Sequence, residues 1–87
     1  MNLHFTCDAY FDDAAGKSFE QTFFVCSPDY GTAAQSVERQ LAAQMPGSRL
    51  DELNLQTIRG ELAKQAQEQS AGALGVYSYG APRQLQP

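Results

Sequence analysis

Tryptophan is absent from this 87-residue chain, histidine occurs once and cysteine twice. A zinc-type centre draws three or four ligands from His, Cys and carboxylates. His4, Cys7 and Cys26 stand without CxxC or HxxxH spacing, so no metal or other cofactor is expected. Long apolar runs are also missing: nothing approaches the roughly 18 residues of a membrane span, and no membrane association is expected. Positive charge is scarce. Six Lys and Arg face ten Asp and Glu, for a formal charge of −4. Duplex nucleic acid demands clustered cations, and these six are scattered, so direct nucleic-acid binding is not expected either. No serine lies in a GxSxG setting. His4 and Cys7, three apart on a strand, point to opposite faces. The Asp12-Asp13 pair falls in a turn. No catalytic constellation emerges, and the chain is read as non-enzymatic. The first residues, Met-Asn-Leu-His-Phe-Thr-Cys-Asp, show neither the basic nor the apolar region of a secretion signal, which makes the cytoplasm the expected compartment.

Aromatic residues, by contrast, are well represented. Five Phe and four Tyr are too many for a disordered acidic chain. The length suits one domain burying about 60–65% of the surface its unfolded form exposes. That domain is expected over residues 1–80, with 81–87 as a flexible tail.

The segment from Asn2 to Pro28 reads as a β-hairpin. From Leu3 to Phe11 the odd positions (Leu3, Phe5, Cys7, Ala9, Phe11) are apolar and the even ones (His4, Thr6, Asp8, Tyr10) mostly polar. That alternation marks a half-buried antiparallel strand. Residues 12–17 supply turn chemistry, with Gly16 free to take positive φ. A second strand runs from Ser18 to Cys26. Matching the apolar faces sets the register: Phe11 opposes Phe19, Cys7 opposes Phe23, Phe5 opposes Val25, and His4 opposes Cys26. Cys7 and Cys26 then lie on different faces, and both are read as free thiols.

Ser27-Pro28-Asp29-Tyr30-Gly31 breaks the strand. Thr32 to Gln35 fits a capping box, and Ala34, Val37, Leu41 and Met45 recur at helical spacing, predicting a helix over Thr32–Met45 that Pro46-Gly47 stops. Residues 48–62 are ambiguous. Leu53, Leu55 and Thr57 alternate as in a strand, whereas Leu50, Leu53, Ile58 and Leu62 also draw a helical stripe. A strand over Glu52–Arg59 is favoured, because two strands alone make a poor platform for a helix. Gly60 to Ala71 suits a short, thinly apolar helix, and residues 76–79 a short strand or an extended cover over the sheet. The fold class is α+β: a small antiparallel sheet with a ββαβ core and one main helix on one face.

The whole formal charge resides before Gly31. Asp8, Asp12, Asp13, Glu20 and Asp29 face a single base, Lys17, while the remainder is balanced. Asp8, Tyr10, Asp12, Glu20 and Phe24 share the outer face of the hairpin, with Asp13 and Asp29 at its ends. Carboxylates around aromatics make a docking patch for an Arg- or Lys-rich protein surface. These seven residues are the candidate contact set. A solvated sheet face explains the same pattern, with Phe24 packed under Tyr77 or Tyr79.

The plan of two strands, an Ala-rich helix, a Pro-Gly and a third strand resembles many small phage and prophage proteins. In size, acidity and layout it is similar to several phage anti-CRISPR inhibitors. The resemblance covers residues 2–59 as a pattern and carries over no functional residue. It implies a stoichiometric, cofactor-free inhibitor that masks the basic surface with which a bacterial ribonucleoprotein nuclease grips guide RNA or target DNA. Two other readings stay open: a regulatory or structural homodimer formed through exposed sheet edges, and a single-strand nucleic-acid binder stacking bases on Tyr10 and Phe24.

Overall fold

The computed structural model describes residues 3–71, 73–78 and 80–85. Strands β1 (Leu3–Asp12) and β2 (Ser18–Ser27) form the hairpin, followed by helix α1 (Tyr30–Gln44) and strand β3 (Arg49–Thr57). Helix α2 (Gly60–Ser70) and strands β4 (Gly75–Ser78) and β5 (Arg83–Gln84) complete the chain. The fold is therefore α+β. One antiparallel sheet runs β3-β1-β2-β4, and β5 joins the same side of β2 as β4.

The hairpin register is the one the apolar alternation predicts: Phe11 opposite Phe19, Cys7 opposite Phe23, Phe5 opposite Val25 and His4 opposite Cys26. A slip by one residue would turn Phe19, Phe23 and Val25 toward water. The loop is held by Asp13, whose carboxylate accepts from the backbone N–H groups of Ala15 (2.9 Å) and Lys17 (2.8 Å), while Gly16 takes φ +86°.

The odd-numbered hairpin face meets α1. Phe5, Cys7, Ala9, Phe11, Phe23 and Val25 form the core with Ala33, Val37 and Leu41 of the helix and Leu55 of β3. Gln21 is buried on the same face. Its side chain accepts from Gln44 Nε2 (2.7 Å) and donates to the Gly80 carbonyl (3.0 Å), which meets the hydrogen-bonding demand of a buried amide.

Several sequence expectations need correction. The helix starts two residues before Thr32, because Asp29 rather than Thr32 is its cap: Asp29 Oδ1 accepts from the Thr32 N–H at 2.7 Å. The third strand begins at Arg49, not Glu52, and ends at Thr57. Its pairing with β1 shifts register between Tyr10 and Phe11, where Tyr10 opposes Glu52 and Phe11 opposes Leu50. Asp51 is the extra residue of a β-bulge. Beyond the bulge Leu50 turns inward beside Leu53, so a strand imitates the i, i+3 spacing of a helix. Part of the segment expected to be a flexible tail, 81–87, joins the sheet, while residues 86–87 lie outside the described residues. Arg83 and Gln84 pair with Glu20 and Phe19, and the Leu85 N–H donates to the Ser18 carbonyl at 2.8 Å. The extended reading of 76–79 resolves as β4 over Gly75–Ser78; Tyr79 lies outside the described residues.

Candidate protein-binding face

The second face of the sheet is built from cross-strand rows. Tyr10 stands between Glu20 of β2 and Glu52 of β3, and β5 extends that row by placing Arg83 opposite Glu20. Asp8 stands between Thr22 and Asn54, and Asp12 between Ser18 and Arg49. Side chains opposite each other on one face lie about 4.5–5.5 Å apart at Cβ. Four carboxylates (Asp8, Asp12, Glu20 and Glu52) therefore surround one phenol.

Helix α2 covers the other end of this face. Gln67 Oε1 and His4 Nε2 are 2.7 Å apart. Ala66 and Ser70 are the buried positions of the helix, and Phe24 and Cys26 are 5% and 2% exposed. An eleven-residue helix is about 16 Å long, whereas a ten-residue strand spans about 33 Å. The helix can shelter the His4 end but not the whole face. The hydrogen-bond partners of Asp8, Asp12 and Tyr10 lie on the sheet itself rather than on α2.

The local electrostatics follow from these neighbours. Thr22 Oγ1 donates to Asp8 at 2.7 Å, and Ser18 Oγ donates to Asp12 at 2.8 Å. Arg49 reaches Asp12 at 3.4 Å, and Arg83 bonds Glu20. Both guanidinium groups are largely exposed, so these pairs are weak. Among the described residues, Asp8 and Glu52 have no basic partner. The Tyr10 hydroxyl is raised above its ordinary pKa, first by its hydrogen bond to Glu20 and then by the charges of Glu20, Asp8 and Glu52.

Of the seven residues expected to make the contact surface, Asp8, Tyr10, Asp12 and Glu20 come together. Asp13 sits in the loop beyond Asp12, its carboxylate engaged with backbone N–H groups. Asp29 caps α1 at the far end of the hairpin, and its bonds to Thr32 lower its pKa. Phe24 is a correction: it lies opposite Tyr77 of β4 and is buried, so its ring is not at the surface. Sequence reasoning missed Glu52, Arg49 and Arg83, because their places depend on the bulge and on β5.

The two thiols are free and lie on opposite faces, both buried. Burial, with a smaller contribution from Asp8, pushes Cys7 up to about 12. Among the described residues no three His, Cys, Asp or Glu side chains gather as a metal ion would require, and no helix is long and apolar enough to cross a membrane. No protein family, curated protein or solved structure matches this chain.

Proposed function

We propose that this protein is a non-enzymatic binding module whose half-open sheet face docks a basic protein surface. The observation that carries this reading is the row Glu20–Tyr10–Glu52 with Asp8 and Asp12 on either side, away from the His4 end that α2 covers, with Glu52 exposed and the other four half-buried. Charged residues around an amphipathic aromatic give orientation and fast encounter, while the ring supplies buried area. In its narrower form the proposal is stoichiometric inhibition: the acidic face covers the Lys/Arg surface by which a bacterial defence ribonucleoprotein holds nucleic acid. The anti-CRISPR-like layout over residues 2–59 motivates that form, and the host cytoplasm is its setting.

The test leaves the Arg-paired carboxylates alone. Asp8→Lys with Glu52→Lys reverses the two unpaired charges at exposed or half-exposed sites. Circular dichroism should match the parent. Retention of the arginine-rich protein protamine should fall by at least about tenfold, the scale of two charge reversals at a polar contact. Unchanged retention in the folded double variant removes the acidic-face reading. For the narrower form, one equivalent of the protein should stop target cleavage by a susceptible guide-RNA nuclease, and the double variant should not.

A homodimer is the second reading, favoured by the outer edge of β3, nine residues long and without a strand partner among the described residues. Such an edge is a template for pairing with a second copy. A single monomeric boundary in sedimentation velocity at high concentration would retire it. The single-strand nucleic-acid reading retains Tyr10 as a stacking ring but not the buried Phe24.

A further inference from the structure

Strand β2 is paired along one side by β1 over its full length, but its other side is shared. Phe23–Cys26 pair with β4, and Phe19–Glu20 pair with β5. Beside the connection between them lies a cleft of about 360 Å³, lined by Glu20, Gln21, Thr22, Gly80, Ala81 and Arg83. The near side of that connection is anchored, because buried Gln21 holds the Gly80 carbonyl.

Beyond the anchor, β5 is held by very little. Arg83 and Gln84 are both exposed, and no side chain of residues 80–84 is buried. Its bonds are those of a two-residue edge strand, the Leu85 N–H to the Ser18 carbonyl, and the Arg83–Glu20 ion pair, in which the Arg83 side chain is 72% exposed. None of these needs the identity of this chain. Any extended segment running antiparallel to β2 makes the same backbone bonds, and an Arg or Lys in register with Glu20 makes the same ion pair.

The geometry points to β5 as the resident occupant of a strand-binding edge. An extended partner segment bearing Arg or Lys displaces Arg83–Gln84, pairs antiparallel with Phe19–Glu20 and takes over the Glu20 carboxylate. This is β-augmentation with a built-in competitor. The protein's own strand, tethered at Gly80, lowers the apparent affinity by the fraction of time it occupies the edge. The inference rests on the acidic-face reading, since Glu20 belongs to that face; it adds the shape of the partner and a means of gating it.

The probe is a labelled, end-blocked heptapeptide with the sequence of residues 80–86, Gly-Ala-Pro-Arg-Gln-Leu-Gln, and a control with Glu in place of its Arg. Fluorescence anisotropy is read on the full-length wild type, on Arg83→Glu, whose strand is repelled by Glu20, and on Arg83→Ala as a milder variant. Arg83→Glu should bind the Arg peptide about tenfold more tightly than wild type, as expected when a competing intramolecular occupant is removed. The Glu peptide should not bind. Adding Glu20→Gln to Arg83→Glu should abolish the gain. Equal peptide affinity in wild type and both Arg83 variants overturns the inference, as does a gain that survives Glu20→Gln. A concentration-dependent dimer formed through exchange of β5 overturns it too, since the occupant is then a second copy. Protamine retention reads the acidic face separately. Loss of retention in Asp8→Lys/Glu52→Lys together with a flat peptide series refutes gating alone. Absent retention by wild type beside a tenfold peptide gain refutes the acidic-face reading and leaves the strand-binding edge.

Discussion

Asp13 and Asp29 show how a carboxylate counted as surface charge is spent on backbone. Asp13 gathers the N–H groups of Ala15 and Lys17 and so closes the hairpin loop. Asp29 takes the N–H of Thr32 and starts α1, the role in which Asp is among the preferred residues. Because those bonds favour the ionised form, the Asp29 pKa is lowered from 3.8. A depressed carboxylate contributes stability that is fully present above its unfolded pKa and lost as pH falls through the folded one. Asp29→Ala should lower Tm by about 4–8 °C at neutral pH, the usual effect of a lost cap on a domain this size. Asp29→Asn keeps the cap oxygen and removes the charge. Its deficit relative to wild type should be constant above pH 5 and vanish as pH drops below 3.8 toward the acid limb. Thermal melts from pH 2 to 7 read this directly, and a deficit that persists at the acid end would assign the effect to geometry instead.

At the scale of elements, β3 explains why residues 48–62 read two ways. Leu50 and Leu53 both face the core because Asp51 is extruded between them, and a bulge cannot be seen in an alternation count. The hairpin was legible because its alternation is unbroken from Phe5 to Phe11 and its apolar partners match in one register only. β5 was not legible, since a two-residue strand held by backbone bonds and one ion pair leaves no hydrophobic pattern. Glu52 and Arg83 were unreadable as neighbours of Tyr10 and Glu20 for the same reasons. The bulge makes a sharp prediction. Deleting Asp51 restores strict alternation, Leu50 in, Glu52 out, Leu53 in, so that variant should fold with a Tm within a few degrees of wild type. Deleting Asn54, a regular ladder position, inverts one side of the strand and should abolish cooperative melting. If the two deletions behave alike, the bulge is misplaced. Helix α2 makes another. It buries only Ala66 and Ser70, little apolar area to hold an element, so it belongs to the low-stability end of the molecule. Cys26, on the face that α2 crosses, should react with a thiol reagent in sub-denaturing urea well before Cys7, which needs the core itself to open and whose pKa is pushed up to about 12. Mass spectrometry of the labelled peptides distinguishes them; simultaneous labelling would mean that α2 opens only with the whole fold.

Across the whole molecule, the sheet separates two tasks. One face is consumed by α1 and the aromatic core, while the other is divided between α2 and a field of carboxylates. The net charge of −4 originates before Gly31 in the chain, yet folding redistributes it. Arg49 and Arg83 arrive from β3 and β5 to meet Asp12 and Glu20, Asp29 is carried to the far end, and Glu52 is added beside Tyr10. What remains uncompensated is the Asp8–Glu52 side of the patch. Charges this exposed act over about 8 Å at physiological ionic strength and about 3 Å in molar salt, so they steer and orient a basic partner more than they hold it. Binding of protamine to the wild type should therefore weaken steeply as NaCl rises from about 0.05 to about 0.5 M, and most of the loss should fall on the association rate. In Asp8→Lys/Glu52→Lys the slope of log affinity against log salt should flatten, because fewer attractive pairs remain to be screened. Stopped-flow association at several salt concentrations decides the matter: a rate constant insensitive to salt in the wild type, or equal slopes in the two proteins, would mean that the carboxylate rows only solvate the sheet and that the contact surface lies elsewhere.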